Sequence, residues 1–206
     1  LLNSLMIAFL TTVCCLLISI LGSYAMTRLK YPGRRFFKTI IIFSYLIPTA
    51  VLFVPMYVFV SKLGFYDNKW ALLIIYPTTV VPYCCYMLMS YFKAIPYALE
   101  EAALIDGCTR MKSLRYIITP IALPGIAVVA TFAFTMSWNE YLYAMIMTTS
   151  PAQQTAVVAI SSFKYADSAI WGRIMAASVL TSLPVTIIYI VAQAQLISGK
   201  SDGSVK

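Results

Sequence analysis

Residues 93–120 read Lys93-Ala-Ile-Pro-Tyr-Ala-Leu-Glu-Glu-Ala-Ala-Leu-Ile-Asp-Gly-Cys-Thr-Arg-Met-Lys-Ser-Leu-Arg-Tyr-Ile-Ile-Thr-Pro120. This segment is the one long charged region between very apolar stretches of the chain. Pro96 suits the first turn of a helix, and the strong helix formers after it predict a helix up to Asp106. Gly107 suits the left-handed position after a helix, and Thr109 is a typical N-cap for a second one. The segment therefore predicts a short polar helix–turn–helix.

The composition predicts that most of the remaining chain crosses a membrane. Hydrophobic residues make up 61% of the 206 residues, and charged residues only 11%. Five uncharged stretches each exceed the roughly 20 apolar residues that a helix needs to cross a bilayer. We therefore expect an all-α polytopic membrane helical bundle, a single transmembrane domain over residues 1–206 with five visible transmembrane helices. The predicted spans cover about residues 4–27, 36–60, 70–92, 118–147 and 174–197.

Seven of the ten prolines lie within or at the ends of these spans. Each proline removes a backbone hydrogen bond and tends to kink its helix, and lipid offers no replacement partner. Bent helices around a gated pathway are one interpretation, and the general frequency of proline in membrane helices is the other. The seven are Pro48, Pro55, Pro77, Pro82, Pro120, Pro124 and Pro184.

The net charge of +8 has an uneven distribution that argues against nucleic acid as a partner. Eleven of the fifteen basic residues fall on one side of the predicted bundle, in residues 28–38, in residues 93–115 and at the C-terminus. The positive-inside rule places that side in the cytoplasm. The loop 93–117 is then cytoplasmic, the loop 148–173 is external, and membrane lipid surrounds a multi-pass protein with a cytoplasmic C-terminus. An odd number of spans puts Leu1 outside, and we expect a sixth helix before it in the full chain.

A second polar group follows in Ser137-Trp138-Asn139-Glu140-Tyr141, near the outer end of the fourth predicted span. An ionisable side chain inside a bilayer is costly unless it faces the bundle interior, a cavity or a polar partner. Trp138, Asn139 and Glu140 are therefore candidates for a translocation path or its outer gate. The alternative is a helix end at the outer interface, anchored by its aromatic side chains.

The external loop 148–173 is the longest polar connection on the outer side. Its apolar middle, Ala156 to Ile160, suggests a helix that dips back into the membrane. The loop either meets a delivered solute or its carrier, or it serves as a tether between two spans.

The spacing within residues 93–120 resembles a known pattern. Glu101-Ala102-Ala103 precedes Gly107, Ile117 and Thr119-Pro120 at the intervals of the EAA loop in permease subunits of ATP-binding-cassette (ABC) importers. The likeness to the second permease subunit of maltose-type carbohydrate importers extends over almost the whole chain. Its elements include Asn3-Ser4-Leu5, Pro32-Gly33-Arg34, Ile47-Pro48, Val54-Pro55, Lys62-Leu63-Gly64, Ile95-Pro96, Trp138-Asn139-Glu140, Met175-Ala176-Ala177-Ser178, Leu183-Pro184 and Gly203-Ser204-Val205-Lys206.

The resemblance implies the type I importer permease fold, usually with six spans, in a bacterial inner membrane. It implies translocation of a sugar or oligosaccharide that an extracellular solute-binding protein delivers. The expected partners are a second homologous permease, which completes a heterodimer, and two copies of an ATPase that bind ATP and Mg²⁺. The chain itself would have no cofactor. The resemblance also implies that six residues couple the chain to the ATPase: Glu100, Glu101, Ala102, Ala103, Asp106 and Gly107. Thr119 departs from the loop pattern, which has leucine there.

Three alternatives remain at this stage. An importer permease for an amino acid, polyamine or anion would share the loop pattern, and composition does not decide the cargo. A secondary transporter would need intramembrane groups that bind a coupling ion, and Glu140 is the one acidic residue near a span interior. An enzyme would need a nucleophile with a base or a set of metal ligands. The chain has no histidine, and its five cysteines show no metal-ligand spacing, so we expect no catalytic residues and no metal.

Overall fold

The computed structural model describes residues 1–163 and 171–201, with the side chains of the last helix described as far as residue 193. Residues 164–170 of the predicted external loop and the C-terminal tail 202–206 lie outside the described residues. Within the described part of the chain, every regular element is a helix. The predicted all-α fold is therefore confirmed.

Within the described residues, three continuous helices are long and apolar enough to cross a membrane: α1 (Leu2–Arg28), α4 (Leu72–Ala94) and α11 (Trp171–Ser201). A 3₁₀ turn at Lys69–Ala71 leads into α4. The helix α4 ends before Ile95 because a residue that precedes a proline is pushed out of the helical region, and Ile95 is extended with ψ 126°.

The second predicted span, residues 36–60, is two helices in the structure. The helices α2 (Arg34–Leu46) and α3 (Thr49–Lys62) meet at an angle of 99°. Pro48 explains the break, since it forces Ile47 into an extended conformation with ψ 122° and removes a backbone donor. The other span prolines inside helices, such as Pro55 in α3, leave their helices continuous.

The fourth predicted span, residues 118–147, also differs from a single straight helix. A helical segment covers Arg110–Ile121 as α6 (Arg110–Ser113), a π-helical turn (Leu114–Ile118) and α7 (Thr119–Ile121). The helix α8 (Leu123–Asn139) leaves it at an angle of 82°. The helix then stops, and a separate short helix, α9 (Leu142–Met147), follows. Three continuous helices and two bent pairs thus lie where the sequence predicts five spans.

The two remaining helices are α5 (Tyr97–Ile105), which lies in the charged segment between α4 and α6, and α10 (Ala156–Ser162), which lies in the external loop. The helix α1 packs along α4 and α8, and α11 packs on α8. The main core lies between α1, α4 and the segment from the π-helical turn to α8, around Cys15, Leu88, Phe92, Ile118 and Val129.

The outer surface of the bundle is strongly apolar. Within the described part of the chain, no residue of α2 is buried. In the most apolar stretch of α11, only 6% of the residues are buried. Phe43 and Leu46 of α2 are each more than three-fifths exposed, as is Ile190 of α11. Exposed apolar side chains on this scale are expected where a membrane or another membrane chain covers the surface.

Candidate functional site

The short helix α5 is built as the sequence predicts. Pro96 is its N-cap, with φ −58° and ψ 136°, and Asp106 is its C-cap. Gly107 has φ +84°, a left-handed conformation that glycine adopts without strain. Its N–H donates to the Leu104 carbonyl (3.2 Å), and the Cys108 N–H donates to the Ala103 carbonyl (2.9 Å). These two bonds are a Schellman motif, which satisfies the last carbonyls of the helix.

The predicted N-cap at Thr109 is confirmed. The Thr109 side-chain oxygen accepts a hydrogen bond from the Lys112 backbone N–H (3.3 Å) at the start of α6. Capping at Thr109 satisfies a donor that the first turn of a helix leaves free. The turn between α5 and α6 is therefore fixed by local bonds on both sides of Gly107.

The six predicted coupling residues divide between two faces of α5. Glu100 and Ala103 are buried against the rest of the chain, with 4% of each residue exposed. The other four, together with the neighbouring Ile105, are exposed. Ile105 is 85% exposed at the end of the helix. The exposed coupling face, as we name it, consists of Glu101, Ala102, Ile105, Asp106 and Gly107.

Glu100 is held by side chains from other helices. The Tyr24 hydroxyl in α1 donates to its Oε1 (2.6 Å), and the Arg28 Nε at the end of α1 lies 3.8 Å from its Oε2. Arg110 Nη1 in α6 lies 3.5 Å from Oε1. Sequence reasoning missed Tyr24 and Arg28 as parts of this site. A basic residue at the inner end of a span and an acidic pair in the next cytoplasmic segment were the available signals.

At the opposite end of the bundle, a cavity of about 420 Å³ lies where two helices are interrupted. The break between α2 and α3, the helix α4 and the break between α8 and α9 surround it. Asn139 and Glu140 line this cavity, and the sequence predicted both as path residues. Its polar and aromatic lining further includes Tyr45, Tyr76, Thr78 and Tyr143, which sequence reasoning missed.

Trp138 has a different environment from its two neighbours. Its indole Nε1 donates to the Thr181 carbonyl in α11 (3.1 Å), and its ring stacks on Phe134 at 5.5 Å between centroids. The residue is 3% exposed and packs with Ala8 of α1. The structure therefore brings Asn139 and Glu140 together at the cavity and places Trp138 in the packing between α8 and α11.

The segment 148–155, which begins the predicted external loop, is bonded to two other parts of the chain. Ser150 donates from its backbone N–H (2.8 Å) and from its hydroxyl to the Asp67 carboxylate. Asn3 of α1 donates to the Ala152 carbonyl (2.8 Å). The bonds from Ser150, its side chain first, lower the pKa of Asp67 below its ordinary value. This part of the predicted external loop is thus fixed to the first turn of α1 and to the turn between α3 and α4.

Residues 16–200 match the family described as the binding-protein-dependent transport system inner membrane component. The chain belongs to this family. It is a membrane-spanning permease subunit of an ABC importer, a multi-pass transport component. The predicted family resemblance is confirmed, and the secondary-transporter alternative is set aside. Among the described residues, no group of three or more Cys, Asp and Glu side chains is placed to hold a metal ion.

Several curated proteins are similar to this permease over nearly its whole length. It is 36% identical to the inner membrane ABC transporter permease protein YcjP of Escherichia coli over 99% of this chain and 73% of that protein. It is 34% identical to the trehalose/maltose transport system permease protein MalG of Thermococcus litoralis over 99% of this chain and 74% of that protein. It is 30% identical to the diacetylchitobiose uptake system permease protein DasC of Streptomyces coelicolor over 99% and 74%.

Solved structures support the fold of the permease. A bacterial ABC transporter involved in the import of the polysaccharide alginate has a chain that superposes with a TM-score of 0.80, at 24% identity, over 93% of the permease and 72% of that chain. The inward-facing methionine transporter MetNI gives a TM-score of 0.72 at 19% identity, over 96% of the permease and 91% of that chain. The importer permease fold predicted from the sequence is thereby confirmed.

Proposed function

We propose that the permease imports a sugar or oligosaccharide. An extracellular solute-binding protein delivers the solute, and ATP hydrolysis in a separate ATPase drives its passage. The proposed assembly is a heterodimer with a second homologous permease, above two copies of the ATPase that bind ATP and Mg²⁺. Support for the cargo comes from relatives named for trehalose/maltose, diacetylchitobiose and trehalose transport, each at least 30% identical to this chain.

In the same proposal, residues 1–206 form one domain in a bacterial inner membrane, with α5 and the C-terminus in the cytoplasm. The charge distribution over the two ends of the bundle supports this orientation. Basic residues from two predicted cytoplasmic segments meet near α5, where Arg28 contacts Ile95 and Arg110 contacts Glu100. The cytoplasmic side of a membrane protein is the side enriched in Lys and Arg.

The exposed coupling face is the main observation that supports docking of the ATPase on α5. Its apolar residue, Ile105, is 85% exposed, and Leu99 and Met111 nearby are 44% and 60% exposed. The Schellman motif at Gly107 holds the end of this face in one conformation. A small, pre-formed surface with apolar and acidic groups fits a groove on a partner with little loss of conformational entropy.

The cavity near Glu140 is the proposed part of the solute path. Its volume of about 420 Å³ is within the usual range of small-molecule sites. Tyr45, Tyr76 and Tyr143 line it, and aromatic faces with adjacent hydroxyl groups suit a sugar ring. The Tyr76 hydroxyl is buried beside the Glu140 carboxylate.

The cargo is tested with the purified complex and its binding protein in proteoliposomes. We expect ATP-dependent uptake of at least one radiolabelled sugar from a panel of maltose, trehalose and diacetylchitobiose. Uptake of methionine, or of a polyamine or anion, without uptake of any sugar would contradict the carbohydrate assignment and leave the family assignment intact.

Docking of the ATPase is tested with Glu101→Lys. We expect this variant to abolish uptake without reducing the amount of permease in the membrane, because Glu101 is exposed.

A further inference from the structure

Arg28, the last residue of α1, is a buried cation that joins three helices. None of its side chain is exposed. Its Nη2 donates to the carbonyl of Phe92 and to that of Ile95 (2.6 Å), where α4 ends. The last carbonyls of a helix have no partner within the helix and carry partial negative charge, so a cation is favoured there. Arg28 therefore ties the inner end of α1 to the inner end of α4.

The same guanidinium faces the carboxylate of Glu100 in α5. The Nε–Oε2 distance is 3.8 Å, and Glu100 has 5% of its side chain exposed. The Tyr24 hydroxyl, one turn before Arg28 on α1, donates to the other carboxylate oxygen (2.6 Å). A single residue of the coupling helix thus contacts two residues of α1.

A second contact between the two helices is independent of Glu100. The Tyr97 hydroxyl in the first turn of α5 donates to the Thr27 carbonyl of α1 (2.6 Å). The Arg28 guanidinium lies 4.2 Å from the centre of the Tyr97 ring, a cation–π geometry. Both ends of the first turn of α5 are therefore attached to the last turn of α1.

We propose that Arg28 and Glu100 are positioning residues that make α1 follow the coupling helix. Separating the two charges would leave the buried Arg28 cation without a carboxylate at low dielectric, so the pair resists being pulled apart. Apolar contacts between helices can slide, whereas this pair transmits displacement in both directions. Because α1 packs along α4 and α8, a displacement of α5 reaches the helices that surround the cavity. The inference rests on the proposed docking of the ATPase on α5.

The test uses the full complex in proteoliposomes and compares Glu100→Gln with Lys112→Met. Lys112 is an exposed residue of α6, so its variant removes a nearby charge without touching the pair. In Glu100→Gln we expect the ATPase to remain bound, with an unchanged KM for ATP. Stimulation of hydrolysis by the solute-loaded binding protein should fall about tenfold, within the range typical of coupling between sites. Uptake should fall in parallel, and Glu100→Asp should recover much of it. Lys112→Met should behave as the wild type.

Wild-type stimulation and uptake in an assembled Glu100→Gln complex would overturn the inference. If that variant does not assemble, Tyr97→Phe and Tyr24→Phe decide, because each removes one hydroxyl from the contact between α1 and α5. Both should lower stimulation at least about twofold, and wild-type values in both would overturn the inference. A wild-type chain that binds no ATPase would instead contradict the proposed function.

Discussion

The carboxylate of Glu140 caps the short helix that contains Tyr143. Its Oε1 accepts a hydrogen bond from the Tyr143 backbone N–H (3.0 Å), and its Oε2 accepts one from the Ala144 N–H (3.1 Å). The first amides of a helix have no partner inside the helix, and a negative charge is favoured at that end. The backbone thus stabilises the charge of Glu140 at the point where α8 ends and α9 begins.

The cap at Glu140 predicts a graded loss of stability. Glu140→Ala removes both acceptors and should lower stability by about 1–2 kcal/mol, as the loss of other N-caps does. Glu140→Gln keeps one oxygen and should have a smaller effect. Thermal unfolding of the purified complex measures both. If both variants unfold at the same temperature as the wild type while uptake is lost, the Glu140 carboxylate binds the solute and does not stabilise the helix.

A close approach between α4 and α8 predicts that two glycines respond oppositely to the same change. A Cβ added at Gly125 would lie 2.4 Å from the ring of Tyr91, whereas one at Gly22 would meet Cys85 Sγ at an ordinary 3.5 Å. Gly125→Ala should therefore destabilise by about 1–3 kcal/mol, the usual cost of overpacking. Gly22→Ala should be neutral or stabilising, because alanine favours a helix over glycine. Melting temperatures that rank the two variants in the reverse order would refute this packing. Adding Tyr91→Leu to Gly125→Ala should restore the lost stability, because it removes the ring that the added Cβ meets.

Gly107 and Gly64 form a matched pair for testing the coupling turn. Their φ angles are +84° and +82°, and a Cβ added at either position meets nothing within 4 Å. Alanine should cost about the same at both, roughly 1–2 kcal/mol of backbone strain. We expect that only Gly107→Ala reduces uptake and ATPase binding, since Gly64 lies in the turn after α3. Equal loss of uptake in both variants would assign the effect to general instability.

The bonds from Ser150 to Asp67 predict how the segment around Ser150 responds to pH. They lower the pKa of Asp67, so their contribution is present above the ordinary value of that pKa and is lost as the pH falls through the lowered one. Protection of the Ser150 amide against hydrogen exchange, corrected for intrinsic rates, should be constant from neutral pH to about pH 5. Asp67→Asn tolerates the φ of +49° at this position and should reduce the protection throughout. A loss of protection near pH 6 in the wild type would contradict the assignment.

Local sequence was sufficient to predict the coupling turn. Pro96, Gly107 and Thr109 each act within a few residues of their own position, and the structure places all three as helix caps or turn residues. The apolar stretches also indicated the positions of the long helices, because length and hydrophobicity decide whether a segment crosses a bilayer.

Contacts between distant residues were not predictable in the same way. The apolar pattern alone gave single spans, whereas Pro48 turns one of them by 99° and a break at Glu140 ends another. The sequence of α5 did not show that Glu100 turns inward, because its partners Tyr24 and Arg28 are more than 70 residues away in sequence. Trp138 adjoins Asn139 in sequence and yet packs on α11, since neighbouring helical residues point in different directions.

The most direct test of the central claim, that the exposed coupling face binds the ATPase, is photo-crosslinking in whole cells. A crosslinking amino acid replaces Ile105, which is 85% exposed at the end of α5. The matched control replaces Leu63, which is 52% exposed in the turn after α3 at the opposite end of the bundle. We expect an adduct with the ATPase subunit from position 105 and none from position 63. An adduct from position 63, or the absence of one from position 105 in a complex that transports, would contradict the account.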